Sequence, residues 1–177
     1  MESLEVTILE NLIYNEDYSR KVIPFIEPEY FQEQGQKIVF EETVQFIAKY
    51  DSQITVEALL IKVSNRRDLT EQSLQEIQQL VGTLENRPQD QQWLLDSTEK
   101  WCRERAIYLA LMESISIADG QDDKKTQDAI PTILSDALAV SFDNNIGHDY
   151  FGNVDERYEY YHKKEDKIPF DLEYFNK

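Results

Sequence analysis

The chain has 177 residues and carries 18 Lys+Arg against 35 Asp+Glu, a net charge of -17, so its summed field repels phosphate backbones and anionic membranes and argues against a segment that grips DNA by itself. Hydrophobic residues at 41% exclude a disordered chain, and five Gly and five Pro are too few for the turns of a many-stranded β-fold, which leaves an all-α class: one helical domain plus a tail. A single cysteine, Cys102, excludes an internal disulfide and a cysteine-based metal site, and fits an intracellular protein.

Leu4, Ile8 and Leu12, with Leu9 and Ile13 beside them, predict a first helix with one apolar stripe. Glu2, Glu5 and Glu10 interrupt this stretch and no basic region precedes it, so it does not read as a signal peptide, and no run approaches the ~20 apolar residues of a membrane span. Asn15 ends this helix or begins the next, in which Tyr18, Val22, Phe25 and Ile26 continue the pattern up to a turn at Pro28 and an aromatic corner at Tyr30-Phe31. A third helix spans residues 36–50 and is broken by Asp51-Ser52-Gln53. Thr55 and Thr70 are N-caps for two further helices, whose apolar residues are Val56, Leu59, Leu60 and Val63, then Leu74, Ile77, Val81 and Leu84.

The longest helical pattern runs from Asp90, a cap after Pro88, to about Asp119, with Leu94, Trp101, Tyr108, Met112 and Ile115 on a near-heptad seam. Gly120 and the polar run QDDKKTQD end it, and Pro131 suits the first turn of a following helix over 130–142, whose face is Ile130, Ile133, Leu134, Ala137, Leu138 and Ser141. Two long antiparallel helices make a hairpin over about 90–142. Either both lie on the core of a monomer, or the hairpin offers an apolar edge to a partner. The residues expected to carry its packing and interface are Trp101, Tyr108, Ile133, Leu134 and Leu138. Beyond the helical domain at 1–143, residues 144–167 read as a linker with a short amphipathic helix. There Val154, Tyr158 and Tyr161 line one face and suit docking into a groove.

Catalytic patterns are sparse. Gly147 and Gly152 have the separation of a phosphate-cradling loop, but Asn153-Val154 follow instead of Lys and a hydroxyl residue, so no ATP site, cofactor or metal is expected here. His148 and His162 lack metal-ligand spacing, and His148 reads as a loop-packing residue before a hinge contact. Acidic pairs such as Glu41-Glu42 read as solvated helix faces rather than general acid and base. Arg105 falls near the apolar seam and needs a carboxylate or carbonyl partner if buried, with a subunit-interface role second. Cys102 reads as a buried helix cysteine before a redox switch, and Trp93, Trp101 and Tyr108 as packing residues before base-stacking ones.

The runs WLLDSTEKWCRERAIYLA (93–110) and AIPTILSDALAVSFDNNIGHDY (129–150), with the opening LIYNEDYSRKVIPFIEPEYF, resemble the N-terminal domain of the DnaB-like hexameric replicative helicases of T-even-type phages. The likeness extends over nearly the whole chain. It implies a compact helical bundle, a hairpin and a linker helix forming the N-terminal tier of a six-subunit ring in the cytoplasm of an infected bacterial host. On this resemblance IPFDLEYFNK, residues 168–177, opens a RecA-like motor that uses ATP and Mg, moves 5'-3' on single-stranded DNA and unwinds the duplex. The tier's implied partners are copies of itself, the primase and the helicase loader. A second reading is a free-standing adaptor or competitor that keeps this fold without a motor.

Overall fold

The structure, a computed structural model, describes residues 3–121 and 125–142. The described residues form seven α-helices and no strand, so the fold is all-α. They are α1 (Leu4–Tyr14), α2 (Glu16–Val22), α3 (Gln34–Tyr50), α4 (Val56–Ser64), α5 (Glu71–Thr83), α6 (Gln91–Ala118) and α7 (Ile130–Leu138).

Short polar side chains start most of these helices by accepting from backbone N–H groups that have no partner inside the helix. Asn15 closes α1 and accepts from Tyr18 N at 3.1 Å to open α2, so one residue makes the corner. Thr55, Thr70 and Asp90 do the same for α4, α5 and α6, accepting from Ala58, Ser73 and Trp93 at 3.2, 3.1 and 2.8 Å. Pro24 tightens the end of α2 into the 3-10 turn Ile23–Phe25. Asp51 leaves α3 in the left-handed region at φ 48°, and Gly120 at φ 68° follows α6.

The core gathers the apolar stripes of all these helices. α3 packs on α1, α4 and α5, while α6 packs on α2 and α7. Ile8, Leu12, Tyr18, Val39, Leu59, Val63 and Val81 are all fully enclosed. Tyr18 O–H donates to Thr98 Oγ1 at 2.7 Å, and Thr98 in turn donates to the Leu94 carbonyl at 2.7 Å, a buried relay that fixes α2 on α6. Glu10, 2% exposed, accepts from the Glu85 backbone N–H at 3.1 Å, and so pins the strap after α5 to α1.

Two expectations are corrected. Glu42 is not on a solvated face: it is buried and paired with Lys62 at 2.6 Å and Arg66 at 3.2 Å, and Arg66 also reaches Glu41 at 3.3 Å. Because α4 lies across α3, these carboxylates act as an interhelical tie. The helix expected over 130–142 ends at Leu138, so the second arm of the hairpin has 9 residues against 28 in α6. Tertiary contacts outcompete helix continuation there. Arg103 Nε donates to the Val140 carbonyl at 3.1 Å, Ser141 Oγ to Glu99 at 3.1 Å, and Phe142 stacks on Phe25 with ring centroids 4.7 Å apart.

Tyr18→Phe removes the relay's first donor while Thr98 keeps its bond to Leu94, so the expected loss is about 1 kcal/mol. Tyr18→Ala also empties the core, and its expected loss is about 3–5 kcal/mol. Urea unfolding of the two variants checks the difference.

Candidate functional site

The surface that stands out lies on α6, and its origin is a change in which side of the helix is buried. In the first half Leu94, Thr98, Trp101 and Cys102 face the core. In the second half the buried residues are Ala106, Ala110, Ser114 and Ile117, turned to a different side. These are mostly small, which lets α7 approach closely through Ala137 with Ile133 and Leu134 half-buried beside it. Ser114 satisfies its hydroxyl by donating to the Ala110 carbonyl at 2.7 Å.

The expected single seam therefore splits. Leu94 and Trp101 are core residues, whereas Tyr108, Leu111, Met112 and Ile115 are 51%, 48%, 51% and 55% exposed. Their i, i+3, i+4, i+7 spacing is that of a core-facing stripe, yet this stripe lies on the side of α6 away from α7. Four large apolar side chains at one edge form a patch of the kind that marks a binding surface.

Arg105 sits where the burial changes side. Its Nε donates to the Tyr30 carbonyl at 2.6 Å and its guanidinium lies 5.0 Å from the centroid of the Tyr108 ring. That carbonyl is the kind of partner the sequence required of a seam arginine, and the cation holds Tyr108 in place. Below it, Tyr30 and Phe31 pack on Trp101 with centroids 5.9 and 5.1 Å away. Glu5 lies in the same region, with one carboxylate oxygen lacking a hydrogen-bond partner among the described residues. Burial raises the Glu5 pKa above the usual carboxylate value, opposed by the Gln32 amide, the Arg105 charge and the Trp101 side chain and reinforced by Glu33.

Of the residues expected to form the interface, Tyr108 is in the exposed stripe and Leu138 is 65% exposed on α7. Ile133 and Leu134 are half-buried against the core, and Trp101 is inside it at 8% exposure. Val154, Tyr158 and Tyr161, with the linker at 144–167, the two histidines and residues 168–177, lie outside the described residues. Leu111 was missed because the heptad spacing carried through from Trp101 to Tyr108 steps over it. The small-residue track Ala106, Ala110, Ser114 was the signal that a second face was in use.

Other chemistry is thin among the described residues. Burial pushes the Cys102 thiol up to about 12, so it stays protonated and inert. No group of His, Cys, Asp and Glu there could hold a metal ion, and no helix is long and apolar enough to cross a membrane. A recess of about 210 Å³ between α3 and α5 is lined by Gln34, Gly35, Asp68, Thr70 and Glu76 among others. Asp68 is held by Arg66 at 2.7 Å and Glu76 accepts from Gln72 at 3.0 Å, which leaves neither carboxylate placed as a base.

Fold and surface thus define an all-α module whose distinctive feature is an uncovered apolar helix face. No family model matches the chain. Over 178 aligned residues, 96% of the chain, it is 33% identical to a DnaB-like replicative helicase of Enterobacteria phage T4. The resemblance to the N-terminal domain of such helicases thus holds along nearly the whole chain, which spans 37% of that relative's length.

A carboxyl group with a raised folded-state pKa stabilises the fold most at low pH and loses that contribution as pH rises through the folded value. The unfolding free energy of the protein relative to Glu5→Gln is therefore expected to fall as pH rises above the ordinary Glu value of about 4.3 and through the raised folded-state value. Urea titrations of both chains across that range measure it, and a flat difference removes the assignment.

Proposed function

We propose that this chain is the N-terminal assembly domain of a phage replicative DNA helicase. It organises a hexameric ring and contacts the primase or the helicase loader, in the cytoplasm of the infected bacterial host. ATP, Mg and single-stranded DNA are handled by a motor in the rest of that protein, which unwinds the duplex ahead of the fork. The observation that carries the reading is the Tyr108–Ile115 stripe, an apolar edge left uncovered in a chain of net charge -17. The likeness to a DnaB-like replicative helicase, which is much longer than this chain, supports the same reading.

Self-association is the elementary step in building a ring. Covering four half-exposed apolar side chains on each side yields on the order of 1 kcal/mol per residue. Association costs at least about 4 kcal/mol in lost freedom, so the isolated domain is expected to pair weakly and in a concentration-dependent way.

Sedimentation velocity of the protein over a wide concentration range is expected to show a mass that rises with concentration. Leu111→Asp combined with Met112→Asp weakens the association at least about tenfold, some 1.4 kcal/mol, because charges are placed where a partner would sit. The same variant keeps its melting temperature, since neither side chain is in the core. Unchanged association of the variant removes the face from the assembly role. Calorimetric titration with purified primase and loader tests the partner role, and no binding to either would remove it.

A further inference from the structure

Helix α7 stops at Leu138 without any of the residues that usually stop one. After α3 and α6 the chain is turned by Asp51 and Gly120, at φ 48° and 68°. By contrast α7 ends on Ala139 at φ -81° and ψ -4°, still in the right-handed helical region. Ala139-Val140-Ser141-Phe142 contain no Gly, Pro or Asn, and such residues first appear with Asn144, Asn145 and Gly147.

The apolar pattern also runs on past the stop. At about 100° per residue, Val140 falls on the side of α7 that holds Ile133 and Ala137, and Phe142 falls one turn beyond Leu138. Leu138 is 65% exposed, and the side chain that would cover it on a continued helix, Phe142, stacks on Phe25 instead. A local preference for helix is thus set against three long-range contacts: that ring stack, the Arg103 bond to the Val140 carbonyl and the Ser141 bond to Glu99. Glu99 and Arg103 are paired with each other at 2.9 Å, with 28% and 46% of their side chains exposed, so solvent and partners reach this clasp.

We propose that residues 139–142 are a two-state switch, either clasped to Phe25, Glu99 and Arg103 as in this structure or continuing α7 by about one turn, with Phe142 covering Leu138. In the second state the amides of Val140, Ser141 and Phe142 bond to the carbonyls of Asp136, Ala137 and Leu138. Four residues reach at most about 14 Å when extended and about 6 Å as helix, so the change draws Phe142 back toward Leu138 by up to about 8 Å. The point from which the rest of the chain departs moves with it. A partner that occupies the Phe25 ring face or pairs with Arg103 favours the helical state, because it takes contacts from the clasped state alone. The inference stands whether or not α6 is an assembly face.

The test is carbon-13 nuclear magnetic resonance of the full chain, in which Cα shifts of Val140, Ser141 and Phe142 distinguish the two states. Phe25→Ala combined with Arg103→Ala removes two of the three clasp contacts and leaves the sequence of α7 unchanged. It is expected to shift the equilibrium toward helix at least tenfold, giving helical shifts at all three residues and nuclear Overhauser contacts between the Phe142 ring and the Leu138 methyls. Random-coil shifts there would mean that the segment is merely released, which overturns the switch. Shifts unchanged from those of the original chain would show that the clasp does not stop α7, which overturns it too. Unaltered signals from Tyr18 and Leu59 verify that the core is intact. If the double variant does not fold, Arg103→Ala alone, a half-exposed position, carries the same test with a smaller displacement and the same outcomes.

Discussion

The structure depends on how one long helix is covered. At 28 residues α6 runs about 42 Å, whereas a body of about 140 residues has a radius of gyration near ~14 Å, too small to sheath such a rod on every side. The fold covers the first half with α2 and the aromatic corner, then covers the second half from another direction with α7. In the second half the side turned away from α7 is apolar, and the assembly reading follows from that mismatch.

The change of side is held by specific chemistry. Trp101 ends the first burial track against Tyr30 and Phe31, and Ala106 begins the second. Arg105 spans the junction, one nitrogen on the Tyr30 carbonyl and its planar group against Tyr108. Glu10, Glu42 and the Tyr18–Thr98 pair show the same economy elsewhere: buried polar groups are spent on ties between separate elements of the chain.

Local chemistry was legible in the sequence. Asn15, Thr55, Thr70 and Asp90 were readable as caps because a cap needs only its own helix. The end of α7 was not, since it is set by Arg103, Glu99 and Phe25, residues at least 37 positions away. Glu42 looked solvated because adjacent acids usually are, and only the crossing of α4 over α3 brings Lys62 and Arg66 to it. The exposed stripe was half legible: the pattern picks out Tyr108, Met112 and Ile115, but on one seam with Leu94 and Trp101, and of the stripe only Tyr108 was among the expected interface residues. Periodicity alone does not reveal that a helix exchanges one neighbour for another partway along its length.

Residues 140–142 are fastened by a guanidinium–carbonyl bond from Arg103, a hydroxyl–carboxylate bond from Ser141 to Glu99 and a ring stack of Phe142 on Phe25. Tension applied through residue 142 is thus delivered to the waist of the rod rather than to either tip. A load at that point is shared between α6 and the turn after α2, and the clamp must be sheared before α7 can peel away.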